Sequence, residues 1–399
     1  MTHLLSRRRA AILLAAAGLA AIPGGAGVAQ AQGAGEGPGA VFSMTNNPAG
    51  NSITVFNRAS DGTLTRAGDV PTGGSGTGTP EDSANGLILA NVAGESSPTN
   101  TRGTAKYLLA LNGGSNSISV FRNAPSGLEL VDSEPSNGVR PISITVNRGV
   151  AYVLNAGTPM CTGAGPQPNI TGFTFDAQGQ LTPIPGSTRP LSGLPNSGCT
   201  QVAFDRSGDV VIVEEQQADV ITTYTRNDDG TLSGPTAQQS TGNGPFGLTF
   251  TQRNQLLTTE NFGAAPGQGG LAAYAIDERA GTLTPLSPTV RNGQSDTCWV
   301  AITDNNRFAF TSSFGGGGGI SSYRVGPDGS LELLNPQAAT VGSGSSDVAL
   351  SGNSRYLYVK NTLQGTVTTF EIERDGALTW LDSDRDDSPG GGSIGLAAS

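Results

Sequence analysis

The chain has 399 residues, of which 59 are glycine, 24 are proline and only 14% are charged. That balance suits many short strands joined by tight turns and excludes a helical bundle or a disordered chain. Acidic residues outnumber basic ones 32 to 22, a formal charge of −10 with no basic stripe, which excludes nucleic acid as a partner because its phosphates demand clustered Lys and Arg.

At the amino terminus, Arg7-Arg8-Arg9, the apolar run Ala10 to Ile22 and the small-x-small site Ala29-Gln30-Ala31 predict a cleaved export signal over residues 1–31. Ser6-Arg7-Arg8 resembles the twin-arginine type of signal. The run is too short for a comfortable membrane span, so the mature chain is expected to have none and to be periplasmic or extracellular; an uncleaved anchor is the alternative. Cleavage removes three arginines and the single histidine, His3, lowering the basic residues from 22 to 19 against 32 acidic ones, a charge of −13. Residues 32–40 are predicted to be a flexible leader, and residues 41–399 a single domain.

From Val41 onward one unit recurs seven times. Its signature is an aliphatic residue followed three positions later by an aromatic: Ile53/Phe56, Ile118/Phe121, Ile170/Phe173, Ile221/Tyr224, Leu271/Tyr274, Ile320/Tyr323 and Val367/Phe370. A turn glycine follows the aromatic by six residues in six copies (Gly62, Gly127, Gly179, Gly230, Gly329, Gly376) and by seven in the fifth, at Gly281. The glycines are 65, 52, 51, 51, 48 and 47 residues apart. Within the fifth copy the pattern predicts strands over 246–250, 255–259, 271–276 and 283–290. Four-stranded units at roughly 40–50-residue spacing indicate propeller blades. The fold class is therefore all-β: a seven-bladed β-propeller of four-stranded antiparallel blades.

The ends of the chain predict how the ring closes. The first copy starts directly with its second-strand pattern, and Ser393 to Ala398 repeats the first-strand pattern of Pro245 to Phe250. The carboxyl-terminal strand is expected to pair into the first blade and remove the open edges.

Insertions mark connecting loops at 71–84, 93–105, 157–169 and 263–270. The glycines of Gly73 to Gly78 have phosphate-loop-like spacing, but no helix pattern follows and no Lys-Ser/Thr pair closes the run, so it reads as a flexible loop, as does Gly315 to Gly319. An oxidising compartment allows a disulfide. Cys161 and Cys199 are the favoured pair, with Cys298 buried and alone; three unpaired cysteines are the alternative.

With no histidine left after cleavage, Ser-His-Asp and Cys-His catalysis in their usual form and histidine-rich metal sites are excluded. No metal site is assigned: acidic groups such as Asp228-Asp229 and Asp384 to Asp387 lack EF-hand spacing and suit solvated turns, with calcium at these carboxylates as the alternative. The most suggestive polar group is Glu214-Glu215. The position of Glu215 is matched in the other copies to Asn46, Asn112, Asn155, Asn261, Ser313 and Asn361, which makes it a carboxylate at one copy of a symmetric ring. Glu260 and Arg140 are candidates to share its face; a solvated loop carboxylate is the other reading of Glu215.

The repeats, together with SGCTQVAFDRSGDVVIVEEQQADVITTYTRNDDGTL, GPFGLTF, DTCWVAIT and RYLYVKN, resemble the seven-bladed β-propeller lactonase family, which includes bacterial 6-phosphogluconolactonases and fungal 3-carboxymuconate lactonising enzymes. The resemblance implies lactone hydrolysis without an organic cofactor, by a monomer acting on a small-molecule lactone. It also implies an Arg-His pair where Thr200 and Gln201 stand, and a glutamate where Gln216 stands, one residue after Glu215. Read on these residues, a carboxylate (Glu215 or Glu260) takes a proton from water and Arg140 stabilises the oxyanion. The alternative is a non-catalytic exported propeller that binds a ligand, glycan or protein through its loop face.

Overall fold

A computed structural model describes residues 37–92, 105–342, 344–386 and 395–399. The predicted export signal, most of the leader and nearly all of the 93–105 insertion lie outside the described residues. The rest forms seven antiparallel sheets.

Blade 1 takes its innermost strand from the carboxyl terminus, Leu396–Ala398, followed outward by Gly39–Met44, Ser52–Arg58 and Leu64–Pro71. Blades 2 to 7 begin with inner strands Leu87–Ala90, Pro141–Asn147, Cys199–Phe204, Pro245–Phe250, Thr297–Ile302 and Ser345–Leu350, and each runs outward in chain order. Each inner strand touches the next around the circle, and that of blade 7 touches Leu396–Ala398, which in turn touches that of blade 2. The circle is closed. In blade 1, Val41 pairs with Ala398, Phe42 with Ala397 and Ser43 with Leu396, so the last residues complete the first sheet as the sequence predicts.

The recurring aliphatic/aromatic pair explains why the blades assemble. Side chains alternate across a strand, so residues three apart point to opposite faces. Ile53 packs into the cluster between blades 1 and 2, whereas Phe56 packs into the one between blades 1 and 7. Ile118 and Phe121 divide in the same way, as do Ile170 and Phe173. The same division holds through Val367, facing blade 1, and Phe370, facing blade 6. Seven apolar clusters result among the described residues, one between each pair of neighbours. A blade thus has two apolar faces and cannot bury both alone, which is what drives a sheet into a ring of copies.

The turn glycines answer to two constraints. All seven have positive φ, for example +91° at Gly62 and +89° at Gly376, where a Cβ is strained. At six of the seven, Gly127 excepted, the neighbouring blade also lies on the glycine: the Tyr356 ring covers Gly62 and the Phe308 ring covers Gly376.

Blade 3 departs from the pattern. Its outer strand is split into Leu181–Pro183 and Arg189–Pro190, because Pro183 and Pro185 cannot donate ladder hydrogen bonds. The Gly73–Gly78 loop also differs from expectation: it is pinned. The Gly76 and Gly78 amides donate to the Asn47 and Asn46 carbonyls, and the Asn46 side chain bonds the Thr77 amide (2.7 Å) and the Thr79 carbonyl (2.9 Å).

Candidate functional site

Register identifies the position that Glu215 occupies. Glu215 lies opposite Val220, immediately before the aliphatic residue of its repeat. The same place opposes Asn112 to Ser117, Asn155 to Asn169, Ser313 to Gly319 and Asn361 to Thr366, but in blade 5 it opposes Glu260, not Asn261, to Gly270. Two neighbouring blades therefore carry a carboxylate here, correcting the expectation of a single exception.

The task of this position is to hold the chain arriving from the previous blade. Asn155 donates to the Ser136 carbonyl. Glu215, fully buried, accepts from the Ser192 amide (3.1 Å), the Ser192 hydroxyl (2.7 Å) and the Thr222 hydroxyl. Glu260, also fully buried, accepts from the Gly242 amide (2.8 Å) and from the hydroxyls of Ser240 and Thr289. Neither is a solvated loop carboxylate. The positions where the resemblance implies an Arg-His pair are likewise spent between blades: Thr200 donates to the Phe246 carbonyl, and Gln201 bonds both the carbonyl and the amide of Leu248.

Arg140 goes elsewhere. It makes a two-pronged pair with Glu81, Nε to Oε2 at 3.1 Å and Nη2 to Oε1 at 3.0 Å, and its Nη2 also donates to Thr79. Glu81 belongs to the 71–84 insertion, and this segment crosses the centre of the ring. The Ala84 amide donates to the Thr200 carbonyl of blade 4, Trp299 Nε1 of blade 6 donates to the Ser83 carbonyl, and the Ile144 amide of blade 3 donates to the Asn85 carbonyl. One mouth of the channel is thereby laid over by the connection from blade 1 to blade 2.

Against this segment opens a cavity of about 240 Å³. Its polar wall has Glu81 and Asp82 from the segment, Asp296 from blade 6, and Ser346 and Thr362 from blade 7. Its apolar wall is made by Met160, Trp299, Phe314 and Leu363. Of the three residues singled out from sequence, Arg140 reaches this wall only through Glu81, while Glu215 and Glu260 are absent from its lining. Among the described residues no cluster of metal-binding side chains occurs.

A chain of hydrogen bonds ties the carboxylates together. Asp82 Oδ2 accepts from Gln216 Nε2 at 2.7 Å; Gln216 Oε1 accepts from Asn261 Nδ2 at 2.6 Å; and Cys298 donates to Asp296 at 3.2 Å. Burial pushes Asp82 up to about 6, with the charges of Asp296 and Glu81 adding to the rise against the Gln216 bond. Burial likewise raises Asp296 and Glu81, and it holds the Cys298 thiol well above its usual range. Cys161 and Cys199 are joined, Cα to Cα 5.5 Å, linking the blade 3 loop to the inner strand of blade 4, and Cys298 is buried and unbridged.

A match to the family model described as "Lactonase, 7-bladed beta-propeller" covers residues 244–344, that is, blades 5 and 6. The chain is 35% identical over 113 residues to a 6-phosphogluconolactonase of Bacillus subtilis (strain 168), a match covering 28% of this chain and 31% of that protein. The matched region thus spans about a third of that relative's length. The solved structure of a protein from Lactobacillus plantarum superposes with a TM-score of 0.67 at 15% identity, covering 90% of this chain and 99% of that one. The periplasmic gluconolactonase of Pseudomonas aeruginosa superposes at 0.62 and 17% identity, covering 90% and 99%. These two likenesses speak to fold. Residues 244–344 thus match the seven-bladed β-propeller lactonase family, and the closed ring of seven four-stranded sheets is the architecture that the family's description names.

Proposed function

We propose that the chain hydrolyses a small lactone in the cavity beside residues 80–82, with Asp82 as the general base. The observation that carries this reading is the state of Asp82: a carboxylate on a cavity wall, held through one oxygen by Gln216 and raised to about 6. A base poised near the working pH combines the ionised form with useful basicity. The Asp82 carboxylate takes a proton from water as the oxygen of that water adds to the lactone carbonyl carbon. The ring C–O bond then breaks, the alkoxide takes the proton back from the Asp82 carboxyl, and a hydroxy acid leaves. The hydroxyls of Ser346 and Thr362, bonded to each other at 2.5 Å on the same lining, are the groups that would turn a proton toward the developing oxyanion.

Gln216 takes a positioning role, since it bonds Asp82 and is itself held by Asn261. Export belongs to the same reading, supported by the amino-terminal sequence and by the Cys161–Cys199 bridge, which suits an oxidising compartment. Among the described residues no helix is long and apolar enough to cross a membrane. A second reading, ligand binding without turnover, is favoured by the segment laid across the channel mouth.

The test is the pH profile of acid release from a lactone panel. The expected result is a rate rising with pH through about 6, with the midpoint moved down in Asp296→Asn, which removes a neighbouring negative charge. Absence of turnover across the panel overturns hydrolysis, and saturable binding without turnover establishes the second reading.

A further inference from the structure

We infer that the preferred ligand is an uncharged lactone carrying an apolar arm, and that lactones bearing a phosphate are poor ligands of the same cavity. This rests on the hydrolase reading above and adds the substrate class. Three features of the cavity point the same way.

The first is charge. Glu81, Asp82 and Asp296 face the cavity, and no Lys, Arg or His is among its lining residues. Arg140, which reaches this wall through Glu81, is already engaged by both oxygens of that carboxylate. A phosphate dianion would thus meet carboxylates in a partly dehydrated space whose described lining holds no cation to offset them. Recognition of phosphate relies on Arg, Lys or a cradle of backbone N–H groups.

The second feature is the opposite wall. Met160 and Leu363 are 42% and 53% exposed, large apolar side chains left in contact with water at the cavity rim, and Phe314 and Trp299 continue the surface inward. Exposed apolar groups clustered around one opening indicate a ligand that covers them. A polyol chain would gain little there; an alkyl chain would bury that surface.

The third is size. At about 240 Å³ the cavity falls below the roughly 300 Å³ at which drug-sized sites begin. It suits one lactone ring placed at Asp82 with a short chain lying against Leu363 and Met160.

The experiment compares kcat/KM of the full chain for three lactones sharing a six-membered ring: δ-decalactone, glucono-δ-lactone and 6-phosphoglucono-δ-lactone. The expected order is decalactone first and the phosphorylated lactone last, separated by at least about tenfold, roughly 1.4 kcal/mol. Leu363→Arg, an exposed rim position where the fold tolerates change, is expected to narrow that gap by favouring the phosphorylated substrate. Equal or better turnover of the phosphorylated lactone overturns this inference and leaves the hydrolase reading intact. A preference for glucono-δ-lactone over decalactone overturns the apolar arm. Hydrolysis of none of the three overturns the hydrolase reading, and this inference with it.

Discussion

Lys360 and Asp386 form an ion pair, Nζ to Oδ2 at 3.3 Å, with both side chains fully buried at the seam where blade 7 meets blade 1. Lys360 also donates to the Ser43 hydroxyl (2.6 Å) and the Met44 carbonyl (2.8 Å), and Ser43 donates to Asp386 (2.9 Å). Asp347, from the inner strand of blade 7, accepts from the backbone of Gly395 and Leu396. The polar cluster thus grips the strand that closes the ring from two sides. Lys360→Met leaves the carboxylates buried without their cation and is expected to cost about 3–5 kcal/mol, measured by urea unfolding. A loss below about 1 kcal/mol would place the closing force elsewhere.

Deleting residues 395–399 removes Leu396, Ala397 and Ala398, all buried, and uncovers the edge of Gly39–Met44. A sharp fall in melting temperature is expected, with new exposure of apolar surface between blades 1, 2 and 7. An unchanged melting curve would contradict closure by this strand.

Three carboxyls, Glu214 and Asp347 buried and Asp82 half-buried, contribute to the pH dependence of stability. Burial raises Glu214 to about 8 from 4.5, Asp347 to about 7 from 3.8 and Asp82 to about 6 from 3.8. Both oxygens of Glu214 lack a hydrogen-bond partner, and the nearby Thr258 hydroxyl donates to the Thr259 carbonyl. Each folded value lies above its unfolded value. The folded state therefore binds more protons between the two, and the stability these groups contribute is full below about pH 4 and lost as pH rises through 6 to 8. The melting temperature is expected to fall from pH 5 to pH 8.5, and Glu214→Gln to flatten the upper part of that fall. A melting temperature that rises over this range would contradict the assignment.

The interblade contacts carry a prediction of their own. Phe121 is fully buried between blades 1 and 2, opposite in direction to Ile118. Phe121→Ala is expected to cost about 3–5 kcal/mol by chemical denaturation, as for other large buried rings. A cost under about 1 kcal/mol would mean that the clusters between blades do not set stability.

The ring was readable in the sequence because its rules are local. An odd spacing between two apolar residues fixes opposite faces, a glycine at a tight turn fixes the strand ends, and both recur in every copy. The site was less readable. Glu260 and Asn261 are adjacent, so sequence matching slid onto the asparagine, and only the pairing of Glu260 with Gly270 shows that blade 5 carries the same carboxylate as blade 4. Asp82 escaped notice because its role depends on where an insertion comes to rest, which no periodicity encodes. The one signal was Glu81-Asp82 itself, the sole charges within PTGGSGTGTPEDSA. The loop expected to be flexible is held by Asn46, whose role depends on a contact 31 residues away in sequence.

Glu215 and Asp82 separate latch from base most directly. The measurement is kcat/KM for a neutral lactone, taken with the melting temperature, in Asp82→Asn and Glu215→Gln. Asp82→Asn is expected to lower kcat/KM by about 10²-fold or more with a melting temperature no lower than that of the parent chain, and Glu215→Gln to lower the melting temperature while keeping kcat/KM within a few-fold at a temperature where it is folded. Full activity in Asp82→Asn, together with a folded but inactive Glu215→Gln, would contradict the account.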